Sequence, residues 1–319
     1  MSGLVFGIMS AVHSAQTVRQ LCEALRSHQV VIHHDFSQQP DFSVDLPNVS
    51  FVPSPRQTGW NSFQFTEGLF HLLDYCVQQP SMQYFQLLTP TCLPIRPISA
   101  FEAFLNSSPD MANSEGIDLL SDHQALVNFG YRAFVPDRSL AMRALFKASE
   151  IYFGKDCSEQ MQAGLSVRTG GGAKATARLI RQAHQWAATG IFYRHPFTSE
   201  WRPHMGSTWF GARREAAVWL MTQFREDPRV DFFRKVPFAD ELLISTFLHN
   251  APFDVGPAHH ELLSFHHARP LTLVSKDLNR LTNSDKFFAR KFADDPEDQT
   301  RQAVLSMVAQ REPCLTPGL

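Results

Sequence analysis

Short apolar segments alternate with amphipathic ones through about the first 120 residues, and this alternation limits the fold more than any other feature. Residues 4–12, LVFGIMSAV, are typical of a buried strand, and residues 14–27, SAQTVRQLCEALRS, carry apolar side chains at helical spacing. Strands that alternate with helices favour a mostly parallel central sheet flanked by helices, so we predict an α/β fold. Further strand patterns lie at 29–37, 48–55, 82–95 and 115–121, and further helix patterns at 60–78 and 98–107.

Polar residues that follow a predicted strand are the first candidates for function, because an open parallel sheet binds ligands beyond the carboxyl ends of its strands. His33 and Asp35 end the second strand pattern. With a distant third histidine they would resemble the iron ligands of a non-haem oxygenase, although those enzymes carry the motif on an all-β scaffold. The other interpretations are a solvated strand end and a contact to a bound nucleotide.

The charge balance and the cysteines restrict the class of partner. Lys and Arg total 29 against 31 Asp and Glu, so no overall positive field attracts nucleic acid or an anionic membrane. The five cysteines show no CxxC spacing and fit reduced thiols better than disulfides or zinc ligands. No basic leader and no apolar run of about 20 residues is present. We therefore expect a cytoplasmic protein without a metal or a transmembrane segment, in at most peripheral contact with a membrane.

Two carboxylates open a predicted helix in the segment ADELL. Asp240 is placed as its N-cap, and Glu241 lies in its first turn. One interpretation is charge complementarity to the positive end of the helix. The other is chemical, because a carboxylate held in a cleft can act as the general base that removes a proton from an attacking hydroxyl.

The segment KFFARKF, residues 286–292, places Arg290 and Lys291 between phenylalanines. Buried aromatic neighbours would hold at least one of these cations near the surface of the core. Cations held in this way suit a departing diphosphate, whose growing negative charge must be met by groups already in place. The alternative is the end of an amphipathic helix with solvated cations.

Six segments taken in order carry a resemblance to a known family. They are VIHHDFS, GWNSFQFTEGLFHLL, MQYFQLLTPTCLPI, GSTWFGARREAAVWL, FADELLISTFLHNAPF and KDLNRLTNSDKFFARKF. Together they resemble the core-2/I-branching enzyme family, which includes β-1,6-N-acetylglucosaminyltransferases and peptide O-xylosyltransferases. The matches span roughly residues 4 to 293.

The resemblance implies a GT-A-like fold and an inverting glycosyltransferase that uses a UDP-sugar without a divalent metal. The sequence agrees on one independent point, because it contains no Asp-x-Asp, the element by which metal-dependent members of that fold hold the cation. The expected reaction transfers a sugar of the GlcNAc or xylose type to a glycan hydroxyl, in bacterial-type surface polysaccharide synthesis. The expected partners are therefore a UDP-sugar donor and a glycan acceptor, with no cofactor.

The resemblance also assigns expected roles to particular residues. Glu241 falls on the catalytic base, and His33 with Asp35 falls in the pocket of the donor nucleotide. The cations expected to bind the diphosphate are Lys291, Arg269 and Arg290. The residues expected beside the donor sugar or the acceptor are Trp60, Ser207, Trp209 and Asp240.

The same resemblance suggests a division of the chain. Residues 1–122 form a nucleotide-sugar-binding α/β half, and residues 123–205 a helical insertion on the acceptor side. Residues 206–295 complete the same domain with the catalytic half, and residues 296–319 are a C-terminal helix and tail.

Two departures from the family pattern bear on function. Cys92 stands where many members have Asp, and Ala239 replaces a Pro before Asp240 and Glu241. The change at Cys92 favours the alternative of a glycan-binding or assembly protein without turnover. The presence of both Glu241 and Lys291 favours the enzyme, since a binding module has no use for a base opposite a leaving-group cation.

Overall fold

The computed structural model describes residues 3–59, 62–121, 194–236, 238–262 and 269–311, and residues 125, 133, 134, 140, 144, 191, 265 and 266. Only the backbone is described for residues 262, 265, 266, 269 and 270. The predicted helical insertion at 123–205 lies mostly outside these residues. Across the described ranges, no helix combines the length and the apolar character needed to cross a membrane.

The described residues form fourteen strands and eight α-helices. The strands are β1 Leu4–Ser10, β2 Gln29–His34, β3 Val49–Phe51, β4 Tyr84–Leu88, β5 Leu93–Pro94, β6 Ala112–Asn113, β7 Ile117–Asp118, β8 His204–Met205, β9 Gly211–Arg213, β10 Val255–Gly256, β11 His260–Leu262, β12 Phe265–His266, β13 Arg269–Pro270 and β14 Phe288–Arg290. The helices are α1 Ala15–Ala24, α2 Phe63–Val77, α3 Ile98–Ser107, α4 Arg214–Glu226, α5 Val230–Phe233, α6 Ala239–His249, α7 Leu278–Asn283 and α8 Gln299–Arg311.

Within this part of the chain, seven strands build the central sheet in the order β10-β6-β9-β4-β1-β2-β3. Strands β3, β2, β1 and β4 are parallel, β9 is antiparallel to both of its neighbours, and β6 and β10 are again parallel. The prediction of an α/β fold with a mostly parallel sheet is confirmed. The segment 115–121 was expected to form a strand of the central sheet, and this is wrong. Its strand, β7, pairs with β8 outside that sheet, and β6 belongs to the sheet instead.

The sheet is buried on both faces because alternate residues of its strands are apolar on both sides. Along β1, Val5 and Met9 face a core built with α2, α4 and α6. Phe6 and Ile8, on the opposite face, pack in a second core with α1, α3 and α8. The two layers of helices therefore fix β1 at the centre of the molecule.

The predicted C-terminal helix is present as α8, and one side of it is part of the second core. Arg301 and Val304 of α8 are fully buried. Arg301 donates to the carbonyl oxygen of Thr17 at 2.8 Å and to Oε1 of Gln20 at 2.8 Å, which joins α8 to α1. The long stem of Arg301 allows its cation to reach these acceptors from within an otherwise apolar core.

A crevice is expected where the connections from the sheet diverge. From β1 the chain moves through β2 to β3 on one side, and then returns to form β4 on the other side of β1. The loops after β1 and β4 therefore leave in different directions, which is the topological switch point at which open α/β sheets bind ligands.

Candidate functional site

The candidate site lies at this switch point and is completed by the C-terminal part of the chain. Strand β14 pairs with β5, just after the loop that follows β4. The backbone N–H of Phe292 donates to the carbonyl oxygen of Thr91 at 2.9 Å. On the β1 side, the N–H of Ser14 donates to both carboxylate oxygens of Asp294, at 3.3 and 3.2 Å. Residues 290–294 thus bridge the two loops.

Arg290 and Lys291 are the central cations of the site. Their backbone is held by β14 and by a hydrogen bond from Leu273 N–H to the carbonyl oxygen of Lys291 at 2.8 Å. Phe288 and Phe292, on either side, are fully buried. The segment is therefore a strand, and the alternative of a helix end is wrong.

The side chains of Arg290 and Lys291 make no hydrogen bond or ion pair with any residue that the structure describes. The guanidinium of Arg290 lies over the ring of Trp209, 4.3 Å from its centroid. Its Nε is buried without a hydrogen-bond partner. Burial lowers the pKa of Arg290, and the negative charge of Glu241 opposes this effect. A partly buried cation without a bound anion is costly, so the arrangement favours an anionic ligand.

Glu241 lies in the first turn of α6, within electrostatic reach of Arg290. The prediction of Asp240 as N-cap is wrong, because α6 begins at Ala239, two residues before the start that this prediction implied. Phe238 is the N-cap residue, in a left-handed conformation with φ of 54°. The carboxylate of Asp240 instead accepts a hydrogen bond from Oγ1 of Thr208 at 2.5 Å, which turns it toward the loop before β9.

That loop, residues 206–209, brings the other predicted sugar contacts to α6. The N–H of Gly206 donates to the carbonyl oxygen of Glu241 at 3.3 Å, and the N–H of Ser207 donates to a carboxylate oxygen of Glu115 at 3.1 Å. A Cβ on Gly206 would lie 2.0 Å from the carbonyl oxygen of Glu115, so this close approach requires glycine. The hydroxyl of Ser207 is buried without a partner among the described residues, and Trp209 lies beside Arg290.

His33 and Asp35 lie at the carboxyl end of β2, where they fix neighbouring loops. Nε2 of His33 accepts the backbone N–H of Arg56 at 3.1 Å. The buried carboxylate of Asp35 accepts hydrogen bonds from the backbone N–H groups of Ser37 and Thr58, at 3.0 and 2.6 Å, and from the side chains of Ser37, Gln38 and Thr58. Its oxygens are occupied by the protein, so any contact to a nucleotide here would come through the loops that Asp35 positions.

These hydrogen bonds make the contribution of Asp35 to stability depend on pH. Burial alone raises the pKa of Asp35, but the hydrogen bonds from Ser37, Thr58 and Gln38 outweigh it and hold the pKa well below its ordinary value. The stabilisation is therefore complete above the unfolded pKa of about 4 and is lost as the pH falls below it.

We expect Asp35→Asn to lower the free energy of unfolding by about 1 to 3 kcal/mol at pH 7, because an amide cannot accept all of these bonds. Urea denaturation should show the difference from wild type shrinking as the pH falls below about 4. Asp231→Asn is the control, since that carboxylate is 80% exposed. A difference that stays constant down to low pH would contradict the assigned role.

The sequence did not single out His13, which lies within electrostatic reach of the two cations. Nδ1 of His13 is buried without a described partner. Burial lowers the pKa of His13, Asp294 raises it, and Lys291 and Arg290 lower it further. The position of His13 directly after the strand pattern LVFGIMSAV was the available signal, since a polar residue there is expected at the carboxyl edge of the sheet.

Some predicted groups lie outside what the structure describes or elsewhere in the fold. Trp60 and the side chain of Arg269 are outside the described residues. His259 and His260, which adjoin and begin β11, are buried. The described cysteines, Cys22, Cys76 and Cys92, are free thiols.

A cleft of about 1180 Å³ lies away from the candidate site, at the amino-terminal edge of the sheet. Gly3, His28 and Gln29 line it from the sheet side, and Leu305 of α8 from the other. Arg290 and Lys291 do not line this cleft, so the carboxyl edge of the sheet is the better candidate for binding an anionic ligand.

The described residues contain no group of three or more His, Cys, Asp or Glu side chains that could hold a metal ion. No protein-family model matches the chain, and no curated protein matches it. The fold and the crevice together define an α/β protein with a mostly parallel sheet and a cationic candidate site at its switch point.

Proposed function

We propose that the protein is an inverting, metal-independent glycosyltransferase with a GT-A-like fold that transfers a sugar from a UDP-sugar to a glycan hydroxyl. One observation carries the proposal: two adjacent cations, Arg290 and Lys291, lie at the switch point without a hydrogen bond or ion pair to any described side chain, and Glu241 is within electrostatic reach of Arg290. An anion site beside a carboxylate is the pair of features that sugar transfer from a nucleotide diphosphate requires.

In the proposed reaction, the acceptor oxygen attacks the anomeric carbon of the donor sugar. Glu241 takes the proton of the acceptor hydroxyl as the new carbon–oxygen bond forms. The bond from the anomeric carbon to the diphosphate breaks on the opposite face, and UDP leaves with the electron pair. A single displacement of this kind inverts the anomeric centre.

The cations act on the leaving group. Lys291 and Arg290, with Arg269 as the family resemblance suggests, meet the negative charge that develops on the diphosphate. Because they are side chains fixed to the protein, they need no reorganisation during the reaction. The stacking of Arg290 on Trp209 supports this role, since it limits the positions of the guanidinium.

The donor and the acceptor have proposed places around these groups. The nucleotide lies near the loops fixed by His33 and Asp35, and the sugar lies near Ser207, Trp209 and Asp240. The unpartnered hydroxyl of Ser207 supports this assignment, because a sugar hydroxyl would satisfy it. A GlcNAc- or xylose-type donor and a role in surface polysaccharide synthesis follow from the resemblance alone.

The second candidate is a glycan-binding or assembly protein that lacks turnover. Cys92 favours it, because this thiol stands where many family members have a carboxylate. The iron oxygenase has less support. The scaffold is α/β, and the carboxylate of Asp35, which would have to bind the iron, already accepts hydrogen bonds from Gln38 and Thr58. Incubation with a panel of UDP-sugars and assay for sugar transfer or hydrolysis separates the enzyme from the binding protein.

The cation site predicts that nucleotide binding needs no divalent metal. UDP should bind with the same affinity in EDTA and in Mg²⁺ or Mn²⁺, because side chains rather than a metal neutralise the diphosphate. Calorimetric titration under the three conditions measures this directly. Binding only in the presence of a metal would contradict the metal-independent mechanism.

A further inference from the structure

Arg290 is held among neutral side chains. Its guanidinium stacks on Trp209, and its buried Nε has no partner. Glu241 attracts it electrostatically, but no carboxylate in the described part of the chain forms an ion pair with it. Arg290 as a whole is partly exposed, so a ligand in the crevice can reach it.

Cys92 is one of these neutral neighbours, because Ala289 of β14 pairs with Leu93 of β5 and the same antiparallel register places Arg290 opposite Cys92. It lies in the loop between β4 and β5, is fully buried, and is held by Thr89, whose N–H and Oγ1 lie 3.4 and 3.3 Å from its Sγ. Burial raises the pKa of Cys92, while Arg290 and the hydrogen bonds from Thr89 lower it by less. The side chain is therefore an uncharged thiol at neutral pH.

His260 is a second neutral neighbour, on β11, which pairs with β14. It is 5% exposed, both of its ring nitrogens lack a described partner, and its ring centroid lies 5.9 Å from that of Trp209. Burial lowers the pKa of His260 strongly, and the charge of Arg290 lowers it further. The ring can therefore accept or relay a hydrogen bond near Arg290 without adding or cancelling charge.

We infer that the neutral side chain at position 92 leaves Arg290 available to an anionic ligand, so that Cys92 sets how tightly the crevice holds a diphosphate. This inference rests on the proposed function, in which that anion is the diphosphate of the donor. A carboxylate at position 92 would pair with Arg290 inside the protein, and a ligand would have to displace it. With a thiol there, the positive charge is fully compensated only when the ligand is bound.

The test compares Cys92→Asp with Cys92→Asn, which match in size and shape and differ in charge. Titration calorimetry with inorganic pyrophosphate should give a dissociation constant at least about 10-fold higher for the Asp variant than for the Asn variant. In an Arg290→Gln background the two substitutions should give equal affinities. Equal affinities in the presence of Arg290, or a difference that persists without it, would overturn the inference.

A buried Asp could prevent folding, so thermal melts accompany each titration and a second comparison uses neutral variants. Cys92→Ser should bind pyrophosphate as wild type does, whereas Arg290→Gln should bind it about 10-fold more weakly. Arg225→Gln is the matched control, because Arg225 is a half-exposed arginine on α4 that pairs with Asp74. If Cys92→Ser loses as much affinity as Arg290→Gln, or if Arg290→Gln loses none, the inference fails.

Pyrophosphate carries no nucleoside and no sugar, which keeps this result separate from the proposed function. The protein could transfer sugar while the Asp and Asn variants at position 92 bind pyrophosphate equally. That result would reject the role of Cys92 but not the proposed glycosyltransferase activity. The reverse outcome, a charge effect at position 92 with no sugar transfer from any UDP-sugar, would reject the enzyme and leave a diphosphate-binding site.

Discussion

Replacement of Glu241 by Gln is expected to reduce sugar transfer by about 10²- to 10⁴-fold while UDP still binds with near wild-type affinity. The amide keeps the shape of the side chain and one hydrogen-bonding oxygen, but it cannot accept the proton of the acceptor hydroxyl. The assay measures transfer from the active UDP-sugar at saturating donor, and UDP titration is measured on the same preparations.

The alternative role of Glu241 makes a different prediction. A carboxylate that only complements the positive end of a helix contributes about 0.3 to 1 kcal/mol to stability and nothing to the reaction. Glu215→Gln is the matched control, because Glu215 is an exposed glutamate in the first turn of α4. A folded Glu241→Gln variant that binds UDP and transfers sugar as fast as Glu215→Gln would remove Glu241 from the mechanism.

Replacement of Lys291 by Ala is expected to weaken UDP binding by about 10- to 100-fold, which corresponds to about 1.5 to 3 kcal/mol for a charge-assisted contact to phosphate. Lys291 makes no ion pair within the described residues, so its removal leaves none of their carboxylates without a partner. The loss should therefore appear in ligand affinity, measured by calorimetry, and only slightly in the melting temperature.

Lys276→Ala serves as the control for this experiment, since Lys276 is an exposed lysine in the turn before α7. The effect at Lys291 should also decrease at high salt, because added ions screen a partly exposed cation. Unchanged UDP affinity in a folded Lys291→Ala variant would mean that the diphosphate, if bound, lies elsewhere.

The identity of most elements could be predicted from the sequence, because local spacing reports which side chains are buried. The run LVFGIMSAV and the helical spacing after it correspond to β1 and α1. The segment EGIDLLS has an apolar character similar to that of a sheet strand, yet its residues Ile117 and Asp118 pair with β8. The spacing of apolar residues indicates a strand, but the partner with which that strand pairs depends on distant residues.

Parts of the site could also be predicted, where a chemical group follows a strand or opens a helix. Glu241 lies in the first turn of α6, as expected, and Asp35 lies at the carboxyl end of β2. The cap was assigned wrongly, because the carboxylate of Asp240 is engaged by Thr208, which is far away in sequence.

The sequence by itself determined the α/β class and the types of side chain available to a site, because both follow from local patterns of burial and charge. Only the tertiary structure decided that Arg290 would lie on Trp209 beside Cys92, and that His13 would lie near Lys291. These neighbours come from β1, β4, β9 and β14 or the loops beside them, and their approach depends on the order of strands in the sheet. That order depends on how side chains from distant segments pack in the two cores on either face of the sheet. The spacing of residues within one segment carries no information about this packing.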